Sequence, residues 1–578
     1  MTNTTEMFCF RPSSRVTGVS AYAPGERPAW VDLFLDANEG EPIDGGHVAE
    51  AGSIENKTLR RYPFSASLEG TIAAGMGVDA SRVVVTSGGD DAIDRVCRIA
   101  LEPGRELLVH SPTFEMIARS ARLAGAGVSE IEWLGGAFPV DDFIEGISDR
   151  TGLVAIVSPN NPTGGVLGLE EMRAIVEAAG RVGALVLVDL AYIEYADEDP
   201  TASLLEYENV VIVRTFSKAY GLAGLRVGYA VGAERVVRLL RAVGGPYPVS
   251  SVSLAIAQQA LKASDRIADV AADVRQRREK ITSRLTGFGC EVCQSQANFV
   301  LVRTPRARWL WSSLAALGIA TRRFGGKPGL EDAVRITVPS DESGCDRLLA
   351  AIETIMAPEA MLFDLDGVLA DVSGSYRRAI IGTAQSFGVD LSPMDIQRAK
   401  DAGDANNDWV VTHRLLAARG VDVEFDEVKA RFQELYLGDQ SSPGLRECET
   451  LIGGVAFLKR LRERWRLAVV TGRPRAEADW FLERFGIAAY FDAVICMEDA
   501  AAKPSAEPVL RALDQLGVRS AWMIGDTPDD IVAARGARVL PIGVVAPGQE
   551  TESANLALGT SGATAVLSSI ECLTEYLP

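Results

Sequence analysis

The sequence has few residues of the types that bind transition metals or form disulfide frameworks. Its 578 residues include three histidines, His47, His110 and His413, which lie far apart. Eight cysteines in a chain of this length do not make the dense pattern of a disulfide-stapled domain. Cys290 and Cys293 have the spacing of half a zinc site, but no second pair or histidine lies at a suitable distance. We therefore interpret these cysteines as reduced thiols.

Long apolar runs and an excess of positive charge are also missing. No stretch approaches the roughly 18 consecutive apolar residues of a membrane span, and the first residues lack the features of a signal peptide. A net charge of -20 argues against nucleic-acid or anionic-membrane partners, which need clustered lysine and arginine. With 47% apolar and 24% charged residues, the composition is that of a globular protein. We expect a cytoplasmic protein without a nucleic-acid or membrane partner.

The sequence does contain a lysine in a setting suited to covalent catalysis. Lys218 follows residues 210–213, a β-branched apolar run that predicts a buried strand. A lysine amine needs partial desolvation or a nearby cation before it can attack a carbonyl. Small residues and hydroxyls flank Lys218, and Arg226 follows in the same stretch.

Residues 83–92 predict an anion-binding turn. They read as a strand, a glycine-rich turn and the start of a helix, where backbone N–H groups are unpaired and the helix dipole favours negative charge. Gly88, Gly89 and Asp90 are therefore candidates to hold a phosphate. The hydroxyls of Thr215 and Ser217 could complete the same cradle.

These separated motifs resemble the fold-type I pyridoxal-phosphate aminotransferases, and within them the histidinol-phosphate aminotransferase group, over about residues 15–355. In that family the stretch at 214–226 carries the catalytic lysine, matched by Lys218, and a phosphate-binding arginine, matched by Arg226. Residues 61–63 match a family Arg-Tyr-Pro whose tyrosine, here Tyr62, reaches the cofactor phosphate of a neighbouring subunit. The resemblance thus implies a homodimer that binds pyridoxal 5'-phosphate.

The same resemblance implies the rest of the cofactor site. Phe114 would stack on the pyridine ring, and Asn161 and Tyr192 would contact the phenolic oxygen. Asp189 ends an apolar strand, where a buried carboxylate needs a cationic partner. The protonated pyridine nitrogen would supply that partner and make the ring an electron sink.

The substrate residues implied by the family are Tyr22, Asn38, Arg322 and Arg335. Guanidinium groups form bidentate pairs with carboxylates and phosphates, so the two arginines would clamp the anionic ends of the substrates. Arg323 is an alternative to Arg322. The chain departs from the family pattern at Ala21 and Gly40, which weakens the substrate assignment, and at Leu190, which we interpret as a packing change.

A different set of sequence motifs begins after Pro358, which interrupts a helical stretch and marks a short linker. An apolar strand then ends in Asp364 and Asp366, whose side chains would share a face because side chains alternate along a strand. Two like charges so close need a cation, and Mg2+ is the expected one.

Three later motifs follow in order, a strand ending at Thr471, a lysine at Lys503 and a strand ending in Asp526 and Asp530. With the first motif they resemble the haloacid dehalogenase superfamily over about residues 360–545. In that family the first aspartate attacks phosphorus, the second is the general acid and base, and the threonine and lysine hold phosphoryl oxygens. The metal ligands implied here are Asp364, Asp366, Asp526 and Asp530.

We therefore predict an α/β chain with a fold-type I aminotransferase, formed by a large and a small domain, at 1–356, a linker at 357–360 and a Rossmann-like phosphatase domain at 361–578 with a helical cap at about 371–455. Glutamate would aminate a phosphorylated ketone, and the phosphate would then be removed. Imidazole acetol phosphate going to histidinol, a step of amino-acid biosynthesis, is the nearest named chemistry. Dihydroxyacetone phosphate going to serinol, an amino-acid phosphate decarboxylase with an appended phosphatase, and a catalytically idle C-terminal module remain alternatives.

Overall fold

The computed structural model describes residues 13–16, 27–40, 56–401, 407–439 and 442–578. The chain forms two compact units. The first comprises the described residues of 1–26 together with 35–307 and 321–345, and the second comprises the described residues of 27–34, 308–320 and 346–578. Among the described helices, none is long and apolar enough to cross a membrane.

Strands and helices alternate along most of the described chain. The strands are β1 (Leu33–Leu35), β2 (Val83–Thr86), β3 (Glu106–Ser111), β4 (Gly127–Glu132), β5 (Thr151–Val157), β6 (Leu185–Asp189), β7 (Val210–Thr215), β8 (Gly228–Gly232), β9 (Glu291–Val292), β10 (Phe299–Arg303), β11 (Ile319–Arg323), β12 (Ala333–Thr337), β13 (Ala360–Phe363), β14 (Ala370–Asp371), β15 (Thr450–Leu451), β16 (Arg466–Val470), β17 (Ala493–Ile495), β18 (Ala521–Gly525), β19 (Leu540–Val544) and β20 (Val566–Leu567). The helices are α1 (Asn56–Arg60), α2 (Ala66–Met76), α3 (Gly88–Ala100), α4 (Glu115–Ala124), α5 (Val140–Glu145), α6 (Leu169–Arg181), α7 (Thr201–Leu204), α8 (Glu234–Val243), α9 (Ser251–Lys262), α10 (Ile267–Gly287), α11 (Ala307–Ala316), α12 (Glu342–Met356), α13 (Tyr376–Ser386), α14 (Pro393–Asp401), α15 (Asp408–Ala418), α16 (Phe425–Leu437), α17 (Gly454–Arg462), α18 (Arg475–Arg484), α19 (Glu507–Leu516), α20 (Pro528–Gly536) and α21 (Thr551–Thr560).

The first unit contains a seven-stranded sheet with the order β2-β8-β7-β6-β5-β3-β4. Strand β8 is antiparallel to both of its neighbours, and the other pairs are parallel. Alternate residues of the central strands enter two apolar clusters, with Val186 and Val188 in one and Leu187 in the other. Burial on both faces explains why these strands read as continuous apolar runs in the sequence. The carboxyl ends of β5, β6 and β7 therefore meet along one edge.

A second sheet of the first unit positions the predicted substrate arginines. Strand β10 pairs antiparallel with β12 and with β9. Arg322 and Arg323 at the end of β11 pair with Arg335 and Val334 of β12. Arg322 lies directly opposite Arg335 in this register.

The second unit contains a six-stranded parallel sheet with the order β17-β16-β13-β18-β19-β20. Strand β13 lies in the middle and is buried throughout, as its apolar sequence predicts. Helices α13 to α16 lie within the segment predicted as a helical cap. The predicted α/β class is confirmed.

Trp522 in β18 is the largest fully buried side chain of the described residues. Its Nε1 donates a hydrogen bond to the backbone oxygen of Thr354 over 2.7 Å, and its ring centroid lies 5.3 Å from that of Trp309. Trp522→Ala should lower the free energy of unfolding of this unit by about 3–5 kcal/mol, because it leaves a large cavity and an unpaired carbonyl. Urea unfolding followed by circular dichroism measures this change.

The control is Leu510→Ala, since Leu510 is 50% exposed. We expect that variant to stay within roughly 0.5 kcal/mol of the wild type. A loss below about 1 kcal/mol for Trp522→Ala would contradict the burial of its ring.

Candidate active sites

Two loop residues, Phe216 and Ser217, separate Lys218 from the end of β7, at the carboxyl edge of the seven-stranded sheet. Its Nζ donates a hydrogen bond to the backbone oxygen of Ala37 over 3.1 Å and lies 5.5 Å from the centroid of the Tyr192 ring. The side chain is partly buried.

Asp189 is a buried acid at the end of β6, the strand next to β7. Its Oδ1 accepts a hydrogen bond from the backbone N–H of Ala191 over 3.0 Å. Burial raises the pKa of Asp189 to about 7, and the charge of Lys218 opposes this only weakly. Within the described part of the chain, no lysine or arginine forms an ion pair with this carboxylate. A protonated ring nitrogen is the type of partner that such a carboxylate would accept.

The predicted phosphate cradle also lies at this edge. Helix α3 begins at Gly88, so its first N–H groups have no partner within the helix. The Arg226 guanidinium donates to Asp90 over 2.9 Å, and a Cβ atom at Gly88 would come within 2.8 Å of Arg226 Nη2. Thr215 Oγ1 donates to Ser217 Oγ over 2.9 Å. Amides, hydroxyls and a guanidinium therefore converge where a phosphate ester would fit.

Asn161 and Tyr192 were both predicted to contact the phenolic oxygen of the cofactor. In the structure each of them forms a hydrogen bond to a residue that the sequence did not connect to it. Asn161 Oδ1 accepts a hydrogen bond from Arg335 Nη1 over 2.5 Å, which leaves the amide nitrogen to donate to a phenolic oxygen. The Tyr192 hydroxyl accepts from Asn38 Nδ2 over 3.1 Å. Both side chains are thus oriented by direct contacts.

Asn38 is placed differently from a simple substrate contact. It is 1% exposed, and its φ of 54° is a left-handed conformation that asparagine tolerates. Its backbone N–H donates to Thr337 Oγ1 over 3.0 Å, and its Oδ1 accepts from the same hydroxyl over 3.1 Å. Asn38 therefore reaches the site through Tyr192, which it orients.

Arg335 is 7% exposed and forms part of the wall of this site. Besides Asn161, it donates from Nη2 to the backbone oxygen of Asp36 over 2.7 Å, and its guanidinium carbon lies 5.3 Å from the centroid of the Phe299 ring. Arg322 lies opposite it on β11. No acidic side chain of the described residues forms an ion pair with Arg322.

Two further predicted residues, Phe114 and Tyr62, are partly or largely exposed. Phe114 precedes α4 and packs against the apolar cluster that includes Val157. Tyr62 is 79% exposed, and its ring stacks on that of Tyr247 with the centroids 4.5 Å apart. Its predicted contact with a neighbouring subunit stays a prediction. Tyr22 lies outside the described residues, as does Ala21.

Two departures from the family pattern have a packing reason. A Cβ atom at Gly40 would come within 2.2 Å of the backbone oxygen of Lys218, so only glycine fits this close approach. Leu190 is fully buried in an apolar cluster, where a glutamate would be costly. The residues present around Lys218 therefore fit pyridoxal 5'-phosphate, with Asp189 toward its ring nitrogen and the α3 amides toward its phosphate.

The second unit forms a separate site at the carboxyl edge of its parallel sheet. Asp364 follows β13, Thr471 follows β16 and Asp526 follows β18, and these three strands are adjacent. One carboxylate oxygen from each of Asp364, Asp526 and Asp530 lies within 4.8 Å of the others, and all three residues are buried. Oxygen ligands in this number suit a Mg2+ ion.

Lys503 bridges two of these acids. Its Nζ donates to Asp364 Oδ1 over 2.8 Å, to the backbone oxygen of Val470 over 3.1 Å and to Asp530. Burial raises the pKa of Asp364, and the nearby carboxylates add to this, because together they outweigh Lys503. Burial lowers the pKa of Lys503, but the two acids outweigh it and the net shift is upward. Three carboxylates and one ammonium leave negative charge in the cluster, so the set fits a divalent cation.

Asp366 is not one of the carboxylates that converge in this cluster. The sequence predicted its side chain as a fourth ligand, but its Oδ1 accepts a hydrogen bond from Arg473 Nε over 2.6 Å. The sequence reading did not single out Arg473. Its position directly after the Thr471-Gly pair was the available signal, since it places a guanidinium on the loop that carries a catalytic hydroxyl.

Comparisons with known proteins divide the chain in the same way. A family model described as aminotransferase class I and II matches residues 37–352, and one described as haloacid dehalogenase-like hydrolase matches residues 358–538. Histidinol-phosphate aminotransferase of Aeromonas salmonicida (strain A449) is 34% identical over 328 residues, which are 55% of this chain and 90% of that protein.

Two other similarities are shorter or more distant. A Phytophthora nicotianae protein named imidazoleglycerol-phosphate dehydratase is 46% identical over 197 residues, which are 33% of this chain and 44% of that protein. The crystal structure of histidinol-phosphate aminotransferase from Sinorhizobium meliloti in complex with pyridoxal-5'-phosphate superimposes with a TM-score of 0.53. At 22% identity, covering 60% of this chain and 97% of that one, it shows the fold.

Asp189 should make the stability of the cofactor-free protein depend on pH. Its pKa is raised from 3.8 to about 7 in the folded protein, so the proton stabilises the folded state fully below pH 3.8. That stability is lost as the pH rises through about 7. From pH 5 to pH 8 the wild type should lose roughly 3 kcal/mol relative to Asp189→Asn.

Thermal or urea unfolding of both proteins across this range, without cofactor, measures the difference. Asp142→Asn on the exposed surface of α5 is the matched control. Parallel pH curves for the wild type and Asp189→Asn would show that the carboxylate is not desolvated.

Proposed function

The chain belongs to the class I and II aminotransferases and carries a haloacid dehalogenase-like hydrolase domain, and we propose that it performs two consecutive reactions on one phosphorylated substrate. The first is the pyridoxal-phosphate-dependent amination of a phosphorylated 2-oxo compound by glutamate. The second is the Mg2+-dependent hydrolysis of the resulting amino-alcohol phosphate. The observation that carries this proposal is the convergence of Asp364, Asp526, Asp530 and Lys503 in the same chain as the Lys218 site.

In the first site, bound pyridoxal phosphate would supply an electron sink for the α carbon. Lys218 Nζ lies at the strand edge where it can accept the proton that leaves that carbon and return it to the second substrate. Asp189 would hold the ring nitrogen in its protonated form, and Asn161 and Tyr192 would contact the phenolic oxygen.

Two arginines would bind the anionic ends of the substrates. Arg335 is fixed by Asn161 and the Asp36 carbonyl, so it would accept the glutamate carboxylate without large reorganisation. Arg322 would add a second positive charge for the phosphate of the ketone.

In the second site, Asp364 would attack phosphorus and Asp366 would transfer the protons. Thr471 Oγ1 accepts a hydrogen bond from the backbone N–H of Arg473 over 3.1 Å, which leaves its hydroxyl proton to donate to a phosphoryl oxygen. Lys503 would neutralise charge on the same group, and Mg2+ would be held by Asp364, Asp526 and Asp530.

A pocket beside Asp366 supports an ester with an amine-bearing leaving group. Its wall includes Asp366, Tyr376, Asp408, Trp409, Arg473 and Met497. Arg473 pairs with Asp366, so the Asp408 carboxylate and the aromatic faces would favour a cationic group over an anionic one. An aminated product fits this wall better than the ketone from which it is made.

The domain limits and the assembly are part of the proposal. We assign residues 1–356 to the aminotransferase, 357–360 to the linker and 361–578 to the phosphatase with its cap at about 371–455. We also propose a cytoplasmic homodimer in which Tyr62 reaches the partner's cofactor phosphate.

Imidazole acetol phosphate is the ketone that we propose, with histidinol phosphate and then histidinol as products. The support is the name of the Aeromonas relative, of which the match to this chain covers 90%. The departures at Ala21 and Gly40 favour dihydroxyacetone phosphate. Gly40 is explained by its close approach to the backbone of Lys218, and Ala21 lies outside the described residues.

Single-site variants should separate the two reactions. Lys218→Ala should abolish amination and leave hydrolysis of histidinol phosphate within about twofold, because the Asp364 cluster is untouched. Asp364→Asn should retain amination and let the aminated phosphate accumulate, with hydrolysis lower by at least roughly 10³-fold. Parallel measurement of 2-oxoglutarate and inorganic phosphate, with each candidate ketone, tests both the reaction and the substrate.

The activity that each variant retains shows that the protein is folded, so each variant serves as the control for the other. Loss of both activities in one correctly folded variant would contradict independent sites. Phosphate release by Asp364→Asn at the wild-type rate would exclude its nucleophilic role, and amination of dihydroxyacetone phosphate alone would exclude the imidazole substrate.

Metal removal should affect one reaction only. Chelation of divalent ions should abolish ester hydrolysis and leave amination unchanged, because the proposed ligands serve the second site. Asp526→Asn should raise the Mg2+ concentration for half-maximal hydrolysis by roughly tenfold or more, since it removes an anionic ligand. The matched control is Asp514→Asn on the exposed face of α19, and hydrolysis that persists after chelation would refute the metal site.

A further inference from the structure

Arg473 is a fully buried cation that has no role in the two reactions proposed above. Its side chain is 1% exposed and forms ion pairs with Asp366 and Glu449. Its Nη1 donates to Glu449 Oε2 over 3.0 Å and to the Tyr436 hydroxyl over 3.3 Å. A buried arginine needs such partners, because its desolvation is otherwise very costly.

Aromatic rings hold the guanidinium from further directions. Its central carbon lies 4.9 Å from the centroid of the Tyr376 ring and 5.4 Å from that of Phe481. Glu449 is itself held by Ser375, whose hydroxyl donates to Oε1 over 2.8 Å. The position of the guanidinium is therefore determined by groups that do not take part in the reaction.

Asp366 is the least buried of these partners. Its side chain is 23% exposed, whereas that of Glu449 is 0% exposed. Asp366 also lies two positions after Asp364, so it is close to the cluster that would bind the metal. Without a fixed cation beside it, the carboxylate could turn toward that metal and leave the position from which it transfers protons.

We propose that Arg473 is a positioning residue that holds Asp366 for proton transfer during ester hydrolysis, an inference that rests on the proposed phosphatase function. In the first step Asp364 forms a bond to phosphorus as the bond to the ester oxygen breaks, and the Asp366 proton passes to that oxygen. In the second step water attacks phosphorus, Asp366 takes its proton, and inorganic phosphate leaves with Asp364 regenerated. The net reaction consumes one ester and one water.

The backbone of Arg473 supports the same arrangement. Its N–H donates to Thr471 Oγ1, so a single residue orients both the acid–base group and a phosphoryl-binding hydroxyl. Lysine has one ammonium in place of a planar guanidinium, and cannot bond Asp366 and Glu449 in this fork geometry.

The leaving group distinguishes positioning from a general structural role. An aliphatic alcohol needs a proton as it leaves, whereas p-nitrophenolate is stable without one. Arg473→Lys should lower kcat for histidinol phosphate by roughly 10²-fold and kcat for p-nitrophenyl phosphate by less than about fivefold, with KM changed little for either. Arg473→Met should show the same pattern with a larger loss.

The matched control is Arg475→Met, two positions away and partly exposed. It should leave both substrates within about twofold of the wild type. An equal loss on both substrates, or none, in a folded Arg473→Lys protein would overturn the proposal.

A double-mutant cycle adds a second readout. Arg473→Lys should have little further effect in an Asp366→Asn background, because the group that it positions is gone. An undiminished effect in that background would also overturn the proposal. If the wild type with Mg2+ hydrolyses neither ester, the proposed phosphatase function is wrong and this inference fails with it. If the wild type hydrolyses both esters and Arg473→Lys lowers kcat equally for both, only the role of Arg473 is refuted.

Discussion

A carboxylate removed from water needs a positive charge beside it, and both sites of this chain depend on that constraint. Asp189 ends a buried strand with one backbone N–H as its donor, so it is suited to a cationic ring nitrogen. Asp364 and Asp530 share Lys503 in the second site, and with Asp526 they retain negative charge that a divalent ion would balance. The carboxylates at these strand ends would thus each be balanced by a positively charged group, a ring nitrogen in the first site and a divalent ion in the second.

Parallel sheets explain why each group of residues meets in one place. In both units the strands bury both faces, so polar groups are accommodated where the strands end. Asn161, Asp189 and Lys218 follow three adjacent strands of one sheet. Asp364 and Thr471 follow adjacent strands of the other. Chemistry is therefore concentrated at the carboxyl edges, and the loops that follow determine what is bound.

Residues at the ends of apolar runs could be predicted from the sequence because a local pattern places them. The runs before Asp189 and Asp364 predicted buried strands, and the structure has those strands. The α/β class was predictable for the same reason. The position of Gly88 followed from a motif that combines a strand, a turn and a helix start, and that of Lys218 followed from the apolar strand before it.

The sequence did not predict the direction of side chains whose hydrogen-bond partners are distant in the sequence. The direction of the Asp366 side chain is determined by Arg473, whose own partners Tyr436 and Glu449 come from other segments of the second unit. Asn38 was predicted to line the substrate site, but its bonds to Thr337 and Tyr192 bury it. No periodicity or spacing in the sequence encodes such contacts.

The partners of Arg473 have a consequence for how product leaves the second site. Tyr376 lies on α13 and Tyr436 on α16, whereas Phe481 lies on α18 of the sheet-bearing part. Lifting the helices away from the sheet would expose the guanidinium and strip it of most of its neighbours. If the proposed phosphatase opens in this way, opening would be energetically linked to proton transfer, and hydration of this one cation would set a barrier to departure of the alcohol.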